Sequence, residues 1–123
     1  MNGLVYDTSG IGFNAVLKNW QLKALQAVWG SSEGLKSHAV WQRVNQVLEG
    51  ETISRASIIN FLEDMREMDV LSGLEVTGKG GYHWVYSPKG DEGGFRAYVV
   101  EKMIKSLMEN FPEETKEAIK QLS

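Results

Sequence analysis

Residues 54–88 read SRASIINFLEDMREMDVLSGLEVTGKGGYHWVYSP, and the fold turns on this stretch. Ser54 carries a side-chain oxygen suited to accept a hydrogen bond from a free N–H at a helix start. Ile58, Ile59, Leu62 and Met65, joined by Phe61, follow at helical spacing, which predicts a helix to about Asp69 with this face in the core. The pattern then changes. Val70-Leu71 and Leu74-Glu75-Val76-Thr77 predict a strand, Gly78-Lys79-Gly80-Gly81 a glycine-rich tip, and Tyr82-His83-Trp84-Val85-Tyr86 an aromatic return strand ended by Pro88.

Upstream, Val16, Leu17, Trp20, Leu22, Leu25, Val28 and Trp29 recur at three- and four-residue intervals and predict an amphipathic helix from Ala15 to Trp29, stopped by Gly30. After the polar turn Ser31-Ser32-Glu33-Gly34, Ser37 can cap a second helix running to Leu48, with Val40, Trp41, Val44, Val47 and Leu48 as its buried stripe. Residues 1–13 hold three glycines and no period, and are expected to form an irregular arm. Downstream, a linker from Gly90 to Gly94 leads to a fourth helix from Phe95 to about Asn110, and Pro112 opens a fifth that ends at Leu122. Three helices, a hairpin and two more helices make a mainly α chain with a small antiparallel β-hairpin. The expected architecture is a winged helix-turn-helix over residues 14–89 with C-terminal dimerisation helices over 90–123.

Composition narrows the chemistry. The 123 residues, 42% of them hydrophobic, suit one domain with a modest core. No apolar run approaches the roughly 18 residues of a membrane span, and the first residues lack a signal-peptide pattern, so a cytoplasmic protein without membrane contact is expected. There is no cysteine. Disulfides, thiolate nucleophiles and zinc fingers are thereby excluded. The two histidines, His38 and His83, lie far apart without carboxylates at ligand spacing, so neither a metal nor a cofactor is expected. No serine has a nucleophile-elbow context and no acid–base pair stands out, which argues against an enzyme.

The second and third predicted helices are joined by Glu49-Gly50-Glu51-Thr52, as in a helix-turn-helix whose later helix enters the major groove by its N-terminal end. On a helical wheel Ala56, Ser57, Asn60, Glu63, Asp64 and Glu67 oppose the core residues Ile58, Leu62 and Met65. The first half of that outer face, with Arg55, Ala56, Ser57 and Asn60, is free of acid and can contact bases and phosphates. The second half is acidic and repels phosphate. Singly, each reads better in structural terms, Ser54 as a cap, Ser57 and Asn60 as a solvated face, and Arg55 as a surface charge. Together with a downstream hairpin they point to double-stranded DNA. Ser37 and His38, at a helix start, can offer N–H groups to a phosphate, and Lys79 is the single cation of the hairpin tip, placed for the DNA backbone or minor groove. The formal net charge of −3, from 13 Lys and Arg against 16 Asp and Glu, weighs against nonspecific binding and leaves the work to local placement.

The fourth helix carries Phe95, Tyr98, Val99, Val100, Met103, Ile104, Leu107, Met108 and Phe111, more apolar residues than one stripe holds. One side can rest on its own subunit. The expectation is that Phe95, Tyr98, Val99, Met103, Ile104, Leu107, Met108 and Phe111 form a homodimer interface, the alternative being a helix folded wholly over its own domain.

At these residues the chain resembles the penicillinase-repressor family of winged-helix regulators, over roughly Leu22 to Leu122. The shared features are Leu22-Lys23-Ala24-Leu25-Gln26-Ala27-Val28-Trp29, Ser57-Ile58 with Leu62, Val85-Tyr86-Ser87-Pro88, and a two-helix carboxyl end. The resemblance implies a dimeric repressor that binds a palindromic operator, dimerises through its C-terminal helices and reads the major groove with its third helix. It departs from the family at Asp64, Glu67 and Asp69, where basic residues are usual, so phosphate contacts there do not carry over. Asn110-Phe111 is similar to the bond at which such repressors are cleaved, yet Pro112 follows it here. Copper sensing through cysteine ligands is excluded. The rival reading is a winged-helix module that binds protein instead of DNA, and neither reading names an inducing ligand.

Overall fold

The computed structural model describes residues 3–78 and 81–123. Its elements are α1 (Asn19–Trp29), β1 (Leu35–Lys36), α2 (Ser37–Val47), α3 (Arg55–Glu67), β2 (Leu71–Gly78), β3 (Gly81–Pro88), α4 (Glu92–Asn110) and α5 (Pro112–Leu122), preceded by a 3-10 turn at Gly12–Ala15. The molecule is mainly helical with one small antiparallel sheet, as the sequence pattern implies.

The third helix begins as its sequence dictates. Ser54 is extended and its hydroxyl accepts the Ser57 N–H at 3.1 Å, satisfying one of the free donors of the first turn. The helix stops at Glu67, two residues short of the expected Asp69. Asp69 has φ 67°, the Val70 N–H reaches back to the Met65 carbonyl and the Asp69 N–H to that of Arg66. This pair of bonds is a Schellman closure, with Asp69 in the left-handed position usually given to glycine and Val70 buried beyond it. Lys89 pairs with the Asp69 carboxylate at 2.5 Å.

The sheet has the order β1-β3-β2. Its hairpin runs in unbroken register from Leu71 opposite Pro88 to Gly78 opposite Gly81. Lys79 and Gly80, and with them the expected wing-tip contact of Lys79, lie outside the described residues. The third strand, β1, was not expected, because two residues carry no period. It pairs Leu35 with Tyr86 and Lys36 with Val85. Gly34 makes it possible: its φ is +86°, and a Cβ there would stand 2.6 Å from Ser87 Oγ and 3.0 Å from the Tyr86 carbonyl.

Leu25, Val28, Val40, Val44, Ile58, Leu62, Leu71 and Tyr86 form the fully buried centre. Full burial of such a side chain contributes about 1.5–3 kcal/mol. Residues 3–11 form no helix or strand before the 3-10 turn, yet this segment is fastened down. The Asp7 N–H donates to the Ala15 carbonyl at 2.7 Å, and Phe13 sits 6.0 Å from Trp29 and 5.6 Å from Phe95, ring centre to ring centre.

Several local expectations need correction. The first helix starts at Asn19 and not Ala15, because the Lys18 N–H donates to Gln21 Oε1 and fixes the start there. Ser37 is the first helical residue of α2 and does not cap it; Lys36 holds that position without a side-chain bond. Val47 and Ile59, assigned to buried stripes, are exposed, since each lies at the edge of its apolar arc. Part of the expected glycine linker is helix: Asp91 accepts the Gly94 N–H at 2.8 Å, and α4 therefore begins at Glu92. Among the described residues no helix is long and apolar enough to cross a membrane.

Candidate nucleic-acid interface

The connection from α2 to α3 is held by side chains of α2. Trp41 Nε1 donates to the Ile53 carbonyl at 2.9 Å, and Asn45 both accepts the Ile53 N–H at 2.9 Å and donates to its carbonyl at 3.2 Å. Both backbone groups of Ile53 are thus satisfied from one helix, which fixes the approach to Ser54. Asn45 was missed in the sequence because a half-buried amide in mid-helix carries no local mark of its partner.

Beyond that clamp, α3 presents Arg55, Ala56, Ile59 and Asn60 to solvent. Ser57 is half-buried, with its hydroxyl 2.9 Å from that of Ser54, so both hydroxyls take part in the cap. The outer surface of the N-terminal half therefore consists of one guanidinium, one amide and small or apolar groups, without acid. Ser37 is half-buried and His38 exposed, its ring 5.4 Å from that of Trp41. These two lie at the far end of α2 from the turn, about 15 Å along the helix axis.

The second half of α3 differs from the helical wheel. Glu63, assigned to the outward acidic face, is turned to the sheet. The Tyr86 hydroxyl donates to Glu63 Oε2 at 2.5 Å, and Arg66 donates through Nε at 3.2 Å and Nη2 at 2.9 Å to the two carboxylate oxygens. The Arg66 guanidinium lies 4.5 Å from the centre of the Trp84 ring. It crosses the sheet where Gly73 leaves room; a Cβ at Gly73 would stand 2.4 Å from Arg66 Cδ. The Arg66 hydrogen bond, aided by that of Tyr86, holds the Glu63 carboxyl below its ordinary range against the opposing effect of partial burial. Burial first, then the Glu63 carboxylate, pushes the Tyr86 phenol up. The negative charge expected at Glu63 is therefore answered within the molecule, and a strand residue is tied to α3 by it.

The helix-turn-helix is followed by a hairpin, and a short strand from the first helical connection completes the sheet. The fold is a winged helix. A solved structure of a possible transcriptional regulator from Methanosarcina mazei Go1 superposes on the chain with a TM-score of 0.60 and 13% identity, over 95% of this chain and 98% of that one. No protein-family model matches the sequence, and no curated protein matches it. The structural likeness therefore shows the fold of the winged helix and does not place the chain in the penicillinase-repressor family.

The residues expected to dimerise divide into two groups. Phe95 and Val99 are buried in the protomer's own core, Tyr98 donates to the Met68 carbonyl at 3.2 Å, and Met103 packs on the same cluster. Their apolarity is used within one winged helix. Ile104, Leu107 and Phe111 are exposed, along with Val100, while Met108 is half-buried. Thr115, buried, donates to the Phe111 or Leu107 carbonyl at 2.6 and 3.1 Å and binds α5 back onto the end of α4. On α5 itself Ile119 and Leu122 are exposed.

Proposed function

We propose that this chain is a sequence-specific double-stranded DNA-binding transcriptional regulator, acting as a homodimeric repressor on a palindromic operator. The observation that carries the reading is the acid-free outer surface at the N-terminal half of α3, with Arg55, Ala56 and Asn60 exposed on a helix braced by α2 and by the sheet. A helix so placed lies in the major groove in helix-turn-helix proteins, its N-terminal residues contacting base edges. Ser54 and Ser57 hold the helix start and offer hydroxyls to a phosphate, Ser37 and His38 add a contact at the start of α2, and Lys79 serves the wing.

In this reading residues 14–89 bind DNA and 90–123 dimerise. The exposed face of Val100, Ile104, Leu107 and Phe111 receives the same face of a second copy, which sets two recognition helices on paired half-sites. That the Methanosarcina mazei neighbour is a possible transcriptional regulator supports the assignment.

Selection of bound duplexes from a random pool, followed by binding of the selected site across a salt series, tests it. A two-fold symmetric site whose affinity falls as salt rises is the expected result. The net charge of −3 favours the rival reading, a winged helix that binds protein. Failure to enrich any sequence at low salt would establish that rival over the DNA assignment.

A further inference from the structure

Between the N-terminal segment and α4 lies an open cavity of about 400 Å³, inside the range of small-molecule sites. Phe13, Val16, Val99 and Val100 supply apolar walls, Tyr6 adds a phenol, and Arg96 is the one charged side chain of the lining. The Arg96 guanidinium lies 5.9 Å from the Phe13 ring centre. Among the described residues it makes no ion pair, although Glu92 precedes it by one helical turn. Asp7, beside Tyr6 in the chain, is held by the Ser9 N–H at 2.9 Å and the Ser9 hydroxyl at 2.6 Å. An arginine stays charged at every pH a protein survives. The cavity thus combines apolar walls with a permanent cation at its edge and no carboxylate in its lining.

We propose that this cavity binds a small apolar monocarboxylate, its chain or ring on Phe13, Val16 and Val99 and its carboxylate on Arg96. A second copy of the chain is the other candidate occupant; the cavity asks for apolar surface and for a negative charge at Arg96 within reach of one small molecule. A carboxylate satisfies both, and the planar guanidinium fork matches its two oxygens. The ligand would touch the N-terminal segment and Val100 together, at the root of the exposed face of α4. The site stands on its own geometry and does not depend on DNA binding.

Sodium octanoate titrated into the ¹⁵N-labelled full chain, with octanamide as the neutral counterpart, tests the site. The expected result is saturable movement of the Phe13, Val16, Val99 and Val100 amide signals below the micelle concentration of octanoate. Arg96→Gln, at an exposed position, should preserve the spectrum and weaken octanoate by about tenfold or more while leaving octanamide within about twofold. Three outcomes would overturn the proposal: no saturable movement, equal weakening of both compounds, or movement of the Phe13 and Val16 amides, which lie off the α4 face, on simple dilution of the protein, which would give the cavity to a second copy. Because the readout contains no DNA, none of these bears on the assignment of α3 to DNA.

Discussion

The phenol of Tyr86 donates to the carboxylate of Glu63 at 2.5 Å, tying the return strand of the hairpin to the middle of α3. Arg66 closes the cluster from one turn further along the helix. The bonds join two residues 23 positions apart, on elements that meet the surface in different places.

This cluster makes stability depend on pH at both ends of the scale. Glu63 has its folded pKa below the ordinary 4.5, so its contribution is present above that value and is lost as pH falls through the folded pKa. Tyr86 has its folded pKa above the ordinary 10.0, so its contribution is present below that value and is lost as pH rises toward the folded pKa. Tyr86→Phe keeps the buried ring and removes the hydroxyl. Urea denaturation at neutral pH should show a loss of about 1–2 kcal/mol, and the variant should lose less stability than the parent above pH 10. Equal midpoints at neutral pH would contradict the role given to this bond.

Asn45→Ala should be costlier than an ordinary surface change. It strands the Ile53 N–H, while the Ile53 carbonyl keeps Trp41. A loss of about 1–3 kcal/mol is expected in denaturant, with faster amide exchange at Ile53. Protection of that amide at parental level would show that the clamp is not needed.

On the surface of α3, Asn60→Ala and Arg55→Ala should leave the thermal midpoint within about a degree, since both side chains are exposed. Their effects should differ on DNA. Loss of Asn60 should flatten preference at one base pair of each half-site, where a bidentate amide pair discriminates by about 1–3 kcal/mol. Loss of Arg55 should lower affinity. Repeating the selection with each variant and recovering the parental sequence at parental affinity would remove α3 from the interface.

For the dimer, Ile104→Asp with Leu107→Asp places charge on a face that one protomer leaves exposed. The parent should sediment at twice the chain mass at micromolar concentration, and the variant at the chain mass with unchanged circular dichroism. A monomeric parent would refute the interface directly.

What could be read in the sequence was what is local. The stripe of Ile58, Leu62 and Met65, the cap at Ser54, the stop at Gly30 and the alternation around Trp84 all act within a few residues, and the helix order and hairpin followed from them. The contacts that bind these pieces together were not legible. A wheel placed Glu63 outside because it has no knowledge of Tyr86, and nothing near Asn45 announces Ile53. Phe95 and Val99 looked like interface because their partners, Phe13 among them, arrive from the opposite end of the chain. In the first half of α3 the wheel placed Arg55, Ala56 and Asn60 outside as the structure does, but put Ile59 in the core and Ser57 wholly in solvent.

The hairpin's register is held at its base. Glu63 and Arg66 grip Tyr86 and Trp84, Leu35 pairs with Tyr86 from the other side, and Gly73 admits the Arg66 stem. Side chains on a strand alternate faces, so a slip of one residue would turn Tyr86 out of the core and is opposed by all of these contacts at once. The outer rungs, from Val76 opposite His83 to Gly78 opposite Gly81, inherit their alignment from that grip. Lengthening or shortening the hairpin by a rung at its far end would therefore alter only its reach. Span and anchorage are separable properties of this hairpin, and the first can be tuned without disturbing the second.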